Sequence, residues 1–78
     1  MNNFNTVFRA VKEQCKKTER IEGAKGFEDI SAAANVPMQR LDFYLETLES
    51  VGLIKYSINN WIIQLTPYGM KKDRIFAD

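Results

Sequence analysis

An α+β fold, mainly helical, is what this sequence predicts: three helices, then a β-hairpin, then a short closing helix. Three observations lead there. Apolar residues recur at helical spacing from Phe4 to Cys15 and again from Leu41 to Val51. The run Ala32-Ala33-Ala34-Asn35-Val36-Pro37 joins two helices with almost no loop. Two apolar-rich segments, Leu53–Ile58 and Trp61–Thr66, flank Asn59-Asn60. At 78 residues the chain makes one domain, residues 1–78, with no room for a second core.

Helix one is expected from about Asn3 to Arg20. Phe4, Val7, Phe8, Val11 and Cys15 share one face, while Arg9, Lys16 and Arg20 lie opposite, and Glu13 is spaced to pair with Arg9 and Lys17. The two glycines within Ile21–Gly26 break the pattern. Helix two is expected over Phe27–Ala34, with Phe27, Ile30, Ala33 and Ala34 inward and Glu28 and Asp29 at the positive end of its dipole. Asn35 tolerates the left-handed turn that ends a helix, and Pro37 suits the first turn of the next. Helix three runs from about Pro37 to Val51. Leu41, Tyr44, Leu45, Leu48 and Val51 face in, and Gln39, Phe43, Glu46 and Ser50 face out, flanked by Asp42 and Thr47. Gly52 stops it. With Asn59-Asn60 as a two-residue turn, Ile58 faces Trp61, Tyr56 faces Ile63 and Ile54 faces Leu65. Thr66-Pro67 reads as an N-cap with proline at the first helical position.

Composition narrows the function classes. Hydrophobic residues make up 45% of the chain, enough to argue for a folded globule. The chain has no histidine and a single cysteine, Cys15, so histidine-based triads, an internal disulfide and the usual zinc ligand sets are excluded. Cys15 reads as a buried packing thiol. Paired acids such as Glu28-Asp29 read as helix-terminal residues, and no catalytic constellation is expected, nor a cofactor. The polar start Met-Asn-Asn-Phe-Asn argues against a signal peptide, and no run reaches the length of a membrane span, so a cytoplasmic protein is expected.

The junction Ala33-Ala34-Asn35-Val36-Pro37, the run Leu45-x-x-Leu48-x-x-x-Gly52-Leu53-Ile54 and the ending Leu65-Thr66-Pro67-Tyr68-Gly69 together resemble winged helix-turn-helix transcription regulators. The ending is similar to the multiple-antibiotic-resistance and phenolic-acid regulator types. The likeness covers residues 27–69. It implies a short strand near residues 21–26 that pairs with the hairpin, a homodimer, and duplex DNA as the partner. It also implies that helix three enters the major groove and that the hairpin, or wing, touches the backbone. On this chain the reading positions are then Met38, Gln39, Arg40, Phe43 and Thr47, with Lys55, Asn59 and Asn60 on the wing. Lys25, just ahead of helix two, completes the candidate set. Gln39 matches adenine, Arg40 matches guanine, and Phe43 matches a thymine methyl.

The charges supply a rival reading. The net charge is only +1, and the central segment carries Glu28, Asp29, Asp42, Glu46 and Glu49 against Lys25 and Arg40. A DNA-binding module ordinarily carries excess cations to displace counterions from phosphate. Gln39 and Arg40 are equally read as base contacts or as plain solvated polarity. Phe43 is read as covered by Ile75 and Phe76 or by a second subunit, ahead of base contact. Trp61 is read as core or interface, ahead of a stacking platform. The alternative to DNA binding is therefore a protein-interaction winged helix working through a Phe43/Trp61 surface.

Overall fold

A computed structural model describes residues 3–17 and 20–72. The element order is α1 (Asn3–Lys17), β1 (Arg20–Glu22), α2 (Ala24–Ala34), α3 (Met38–Ser50), β2 (Ile54–Ser57), β3 (Ile62–Leu65) and α4 (Pro67–Lys71). The fold is α+β and mainly helical, with three main helices, a three-stranded antiparallel sheet and a short closing helix. This topology is compatible with a winged helix.

The core forms where the helical faces meet the sheet. Val7, Phe8 and Val11 of α1 are sealed from solvent together with Phe27, Ile30, Leu41, Leu45, Leu48 and Ile63. Burying one such side chain contributes about 1.5–3 kcal/mol, so this cluster dominates the stability. Phe4 and Cys15, at the two ends of the α1 stripe, are half-buried against it. The described part of α1 ends at Lys17, short of the expected Arg20. Arg20 instead begins β1, where its Nε lies 2.5 Å from Glu22 Oε1. Glu13 makes its ion pair with Lys16, at 3.7 Å, one residue closer along the helix than the expected partners.

Helix α2 starts three residues earlier than its apolar pattern suggests and takes in Gly26. A Cβ at Gly26 would overlap the side chain of Ile21, so the glycine lets α2 lie close against β1. Ser31, not Ala33, completes the inner face, and Ala33 is exposed. The reason is the junction that follows. Asn35 adopts the left-handed conformation (φ 56°, ψ 45°), its N–H donates to Ala32 O at 3.2 Å, and the Val36 N–H donates to Ser31 O at 3.1 Å. Ser31 Oγ returns a bond to Val36 O, so the turn is clasped from both sides while Val36 tucks inside.

Pro37 stands as the N-cap of α3 rather than its first residue. Its backbone is extended (φ −68°, ψ 149°), and its carbonyl accepts from Arg40 and Leu41. Val51 caps the other end and is 46% exposed, so it falls outside the inner stripe assigned to it. Gly52 follows at φ 85°, where the Gly52 N–H bonds Glu49 O and the Leu53 N–H bonds Leu48 O. That paired closure turns the chain directly into β2.

In the sheet β3 is central, in the order β1-β3-β2. Tyr56 pairs with Ile63 and Ile54 with Leu65 as expected, while β1 sets Ile21 against Ile63. The hairpin ladder ends at Ser57–Ile62, so Ile58 and Trp61 belong to a four-residue turn rather than to the expected Ile58–Trp61 pair. Trp61 takes φ 54°, which breaks the strand there. Its carbonyl accepts from Gly23 N at 2.8 Å, and its ring meets Phe27 edge-on at 5.0 Å. The expected N-cap at Thr66 is present, with its Oγ1 accepting from Gly69 N at 3.0 Å.

Candidate nucleic-acid interface

The first turn of α3 carries Met38, Gln39 and Arg40, all exposed. One turn further on, Phe43 is 55% exposed. Its ring lies 5.9 Å from Phe4 and 5.6 Å from Tyr44, and Phe4 packs edge-on against Tyr44 at 4.9 Å. Asn3 Nδ2 donates to the Tyr44 hydroxyl at 3.2 Å, which ties the first turn of α1 to the same cluster. Phe43 is therefore braced from beneath while its outer side meets solvent. Ile75 and Phe76, the expected cover, lie outside the described residues. Thr47 is half-buried and its hydroxyl donates to Phe43 O at 3.1 Å, so its donor is directed into its own helix.

The wing positions sit elsewhere on the fold. Lys55 is exposed on β2 opposite Gln64. Asn59 and Asn60 are exposed at the turn, where Asn60 N and Nδ2 both donate to Ser57 Oγ, at 3.4 and 3.3 Å. Lys25 occupies the first turn of α2 with Nζ 3.9 Å from Asp29 Oδ1. The Gly23–Trp61 bond brings that helix start against the wing turn, so Lys25 groups with the wing rather than with α3. Phe43 and Trp61 have different ring neighbours, Phe4 and Tyr44 for one and Phe27 for the other.

The acids of α3 have a role that sequence reading missed. Asp42 Oδ1 accepts from the Tyr56 hydroxyl at 2.8 Å, and Glu49 Oε2 accepts from the Tyr56 backbone N–H at 3.2 Å. Burial first, then the bond to Asp42 and the nearby charges of Asp42, Glu46 and Glu49, push the Tyr56 phenol well above its ordinary value of 10. Two of the three acids are thus spent on holding the hairpin. The signal was present in the sequence: positions 42, 46 and 49 recur at helical spacing beside the hairpin's first strand.

From α3 to the end of β3 the charged groups are Arg40 and Lys55 against Asp42, Glu46 and Glu49. Screening confines each to about 8 Å at physiological salt, so local grouping matters more than the sum. Arg40 is the cation of the α3 start, and the acids begin two residues later at Asp42, whose carboxylate is bonded to the hairpin. Among the described residues no cluster of histidine, cysteine or acidic side chains is arranged to hold a metal ion, and no helix is long and apolar enough to cross a membrane. No protein-family model, no curated protein and no solved structure matches the chain.

Proposed function

We propose that this chain is a winged helix-turn-helix module that binds duplex DNA as a homodimer in transcriptional regulation. The reading rests above all on the free N-terminal half of α3. Met38, Gln39, Arg40 and Phe43 project from a helix whose entry angle is fixed by the Ser31–Val36 clasp. Gln39 has the donor–acceptor pair that matches adenine N6/N7, Arg40 matches guanine O6/N7, and Phe43 offers an apolar surface to a thymine methyl. Lys55 and Lys25, with Asn59 and Asn60, supply wing-side contacts to phosphate. With only three cations in the set, the affinity is modest and its dependence on salt shallow, about −3 in log K against log salt per protomer.

The second reading is a protein-interaction module, favoured by the braced, half-exposed Phe43 beside Glu46 on α3. Fluorescence anisotropy of a labelled random-sequence duplex at low salt separates the two. Saturable binding at micromolar protein, reduced by Arg40→Ala, supports the DNA reading. A folded sample that leaves the duplex free refutes it, and loss of self-association in Phe43→Asp then identifies the protein reading.

A further inference from the structure

We propose that Tyr56 is a latch between the wing and α3, and that it sets the register in which the two elements reach a duplex together. The inference rests on the DNA reading above and names a residue outside its contact set. Tyr56 is held at both ends, through its hydroxyl to Asp42 and through its backbone N–H to Glu49. Those two acids are seven residues apart on α3, a rise of about 10 Å, so the hairpin is gripped along a line and not at a pivot.

The need for a latch follows from the sheet. Among the described residues β2 is an edge strand, paired with β3 alone. The β3 side of the hairpin is anchored to the body by β1 and by the Gly23–Trp61 bond. The β2 side, which carries Lys55 and leads to Asn59 and Asn60, is rooted in the core by Ile54 at its start, and further along it takes its polar tie to α3 from Tyr56. A two-stranded ribbon end without such support is marginal in water. The same bond grips α3 at Asp42, two and three residues after the base-reading candidates Arg40 and Gln39.

Phosphate contacts position a protein on DNA, whereas base contacts specify the sequence. A wing that slides against α3 still finds phosphates, but it no longer holds the helix over one set of base edges. Loss of the latch therefore lowers discrimination more than affinity. Tyr56 acts through Lys55, Asn59, Asn60, Gln39 and Arg40, and is a positioning residue.

Three variants test this in the full chain. Tyr56→Phe removes only the hydroxyl, Asp42→Ala removes its acceptor, and Asp42→Asn keeps an acceptor. Amide hydrogen exchange on the free protein reads the latch without DNA. Selection from a random duplex library reads its consequence. The expected result is that amides of residues 55–60 exchange about fivefold to tenfold faster in Tyr56→Phe and Asp42→Ala, with Asp42→Asn near wild type. The double variant Asp42→Ala/Tyr56→Phe adds nothing further. Tyr56→Phe selects a degraded motif while its affinity for random duplex stays within about twofold of wild type. Unchanged exchange overturns the latch. An unchanged motif overturns its role in register and leaves the DNA reading standing, whereas a wild-type protein that binds no duplex overturns both.

Discussion

Gly69→Ala is the substitution for which local propensity and tertiary contact demand opposite signs. Gly69 lies inside α4, and its φ is outside the left-handed region, so alanine fits the backbone there. Helix propensity alone then predicts a gain of about 1 kcal/mol. The contacts predict a loss. A Cβ at this position would sit 3.0 Å from the Leu53 carbonyl carbon and 3.2 Å from Leu65 Cδ2, with the Leu53 oxygen closer still. That oxygen also accepts from Thr66 N at 3.1 Å and lies 3.0 Å from Thr66 Oγ1, whose single proton it shares with Gly52 O, so it has little freedom to retreat. Overpacking costs about 1–3 kcal/mol, and lifting α4 away sacrifices the Thr66 cap for about 1 more. Set against the propensity gain, the net loss is about 2 kcal/mol, or a fall in Tm of about 8–16 °C for a domain of this size. Thermal unfolding followed by circular dichroism reads it directly. Gly23→Ala is the comparison, since nothing lies within 4 Å of the added Cβ but φ 94° with ψ 155° is a conformation kept almost entirely to glycine, leaving backbone strain of about 1–3 kcal/mol and no packing clash. A Gly69→Ala protein that melts at or above wild type refutes the packing account of the Leu-Thr-x-x-Gly ending.

Three further outcomes follow from the same geometry. Asn35→Ala costs about 1 kcal/mol in thermal unfolding, because the left-handed turn remains obligatory, whereas Asn35→Gly stays within a few tenths of wild type. Tyr56 makes the fold sensitive to alkali. Its phenol, facing Asp42, Glu46 and Glu49, keeps in the folded state a proton that the unfolded chain releases near pH 10, so its contribution is full below that pH and falls as pH rises. Urea midpoints should therefore show the gap between wild type and Tyr56→Phe narrowing from about pH 9 to pH 11.5, and a constant gap contradicts it. Glu46 is the α3 acid without a role in the Tyr56 bonds, and it is exposed beside Phe43. Glu46→Lys should raise duplex affinity about threefold to tenfold at low salt and steepen the salt dependence by about one phosphate.

The local signals of this fold were legible because they are backbone rules with few solutions. An asparagine after three alanines, a glycine after Val51 and a threonine before Pro67 each mark a helix end, and all three act there. The register of β2 on β3 followed from centring the hairpin on Asn59-Asn60, which stays correct although the turn spans four residues rather than two. The errors came where tertiary contact overrode local pattern. Apolar spacing could not foresee that Ser31 would turn inward to bond Val36, or that Trp61 would leave the strand to meet Phe27 and Gly23. At the candidate interface, exposure of Gln39 and Phe43 was readable from the helical wheel, and that of Arg40 came from the resemblance. The brace from Phe4 and the use of Asp42 and Glu49 to hold Tyr56 were not, since both join elements distant in sequence. Those bonds change the meaning of the acidic helix, because charges that look like a barrier to phosphate are largely directed at the hairpin.

The most direct test of the DNA reading is amide shift mapping of the ¹⁵N-labelled protein titrated with a random-sequence duplex of about 20 base pairs at low salt. The account predicts saturable shifts concentrated at residues 38–43 and 55–60 and at Lys25, with α4 and α1 beyond its first turn little changed. Absence of shifts in a folded sample at duplex concentrations of about 1 mM, or shifts confined to α1 and α4, contradicts it.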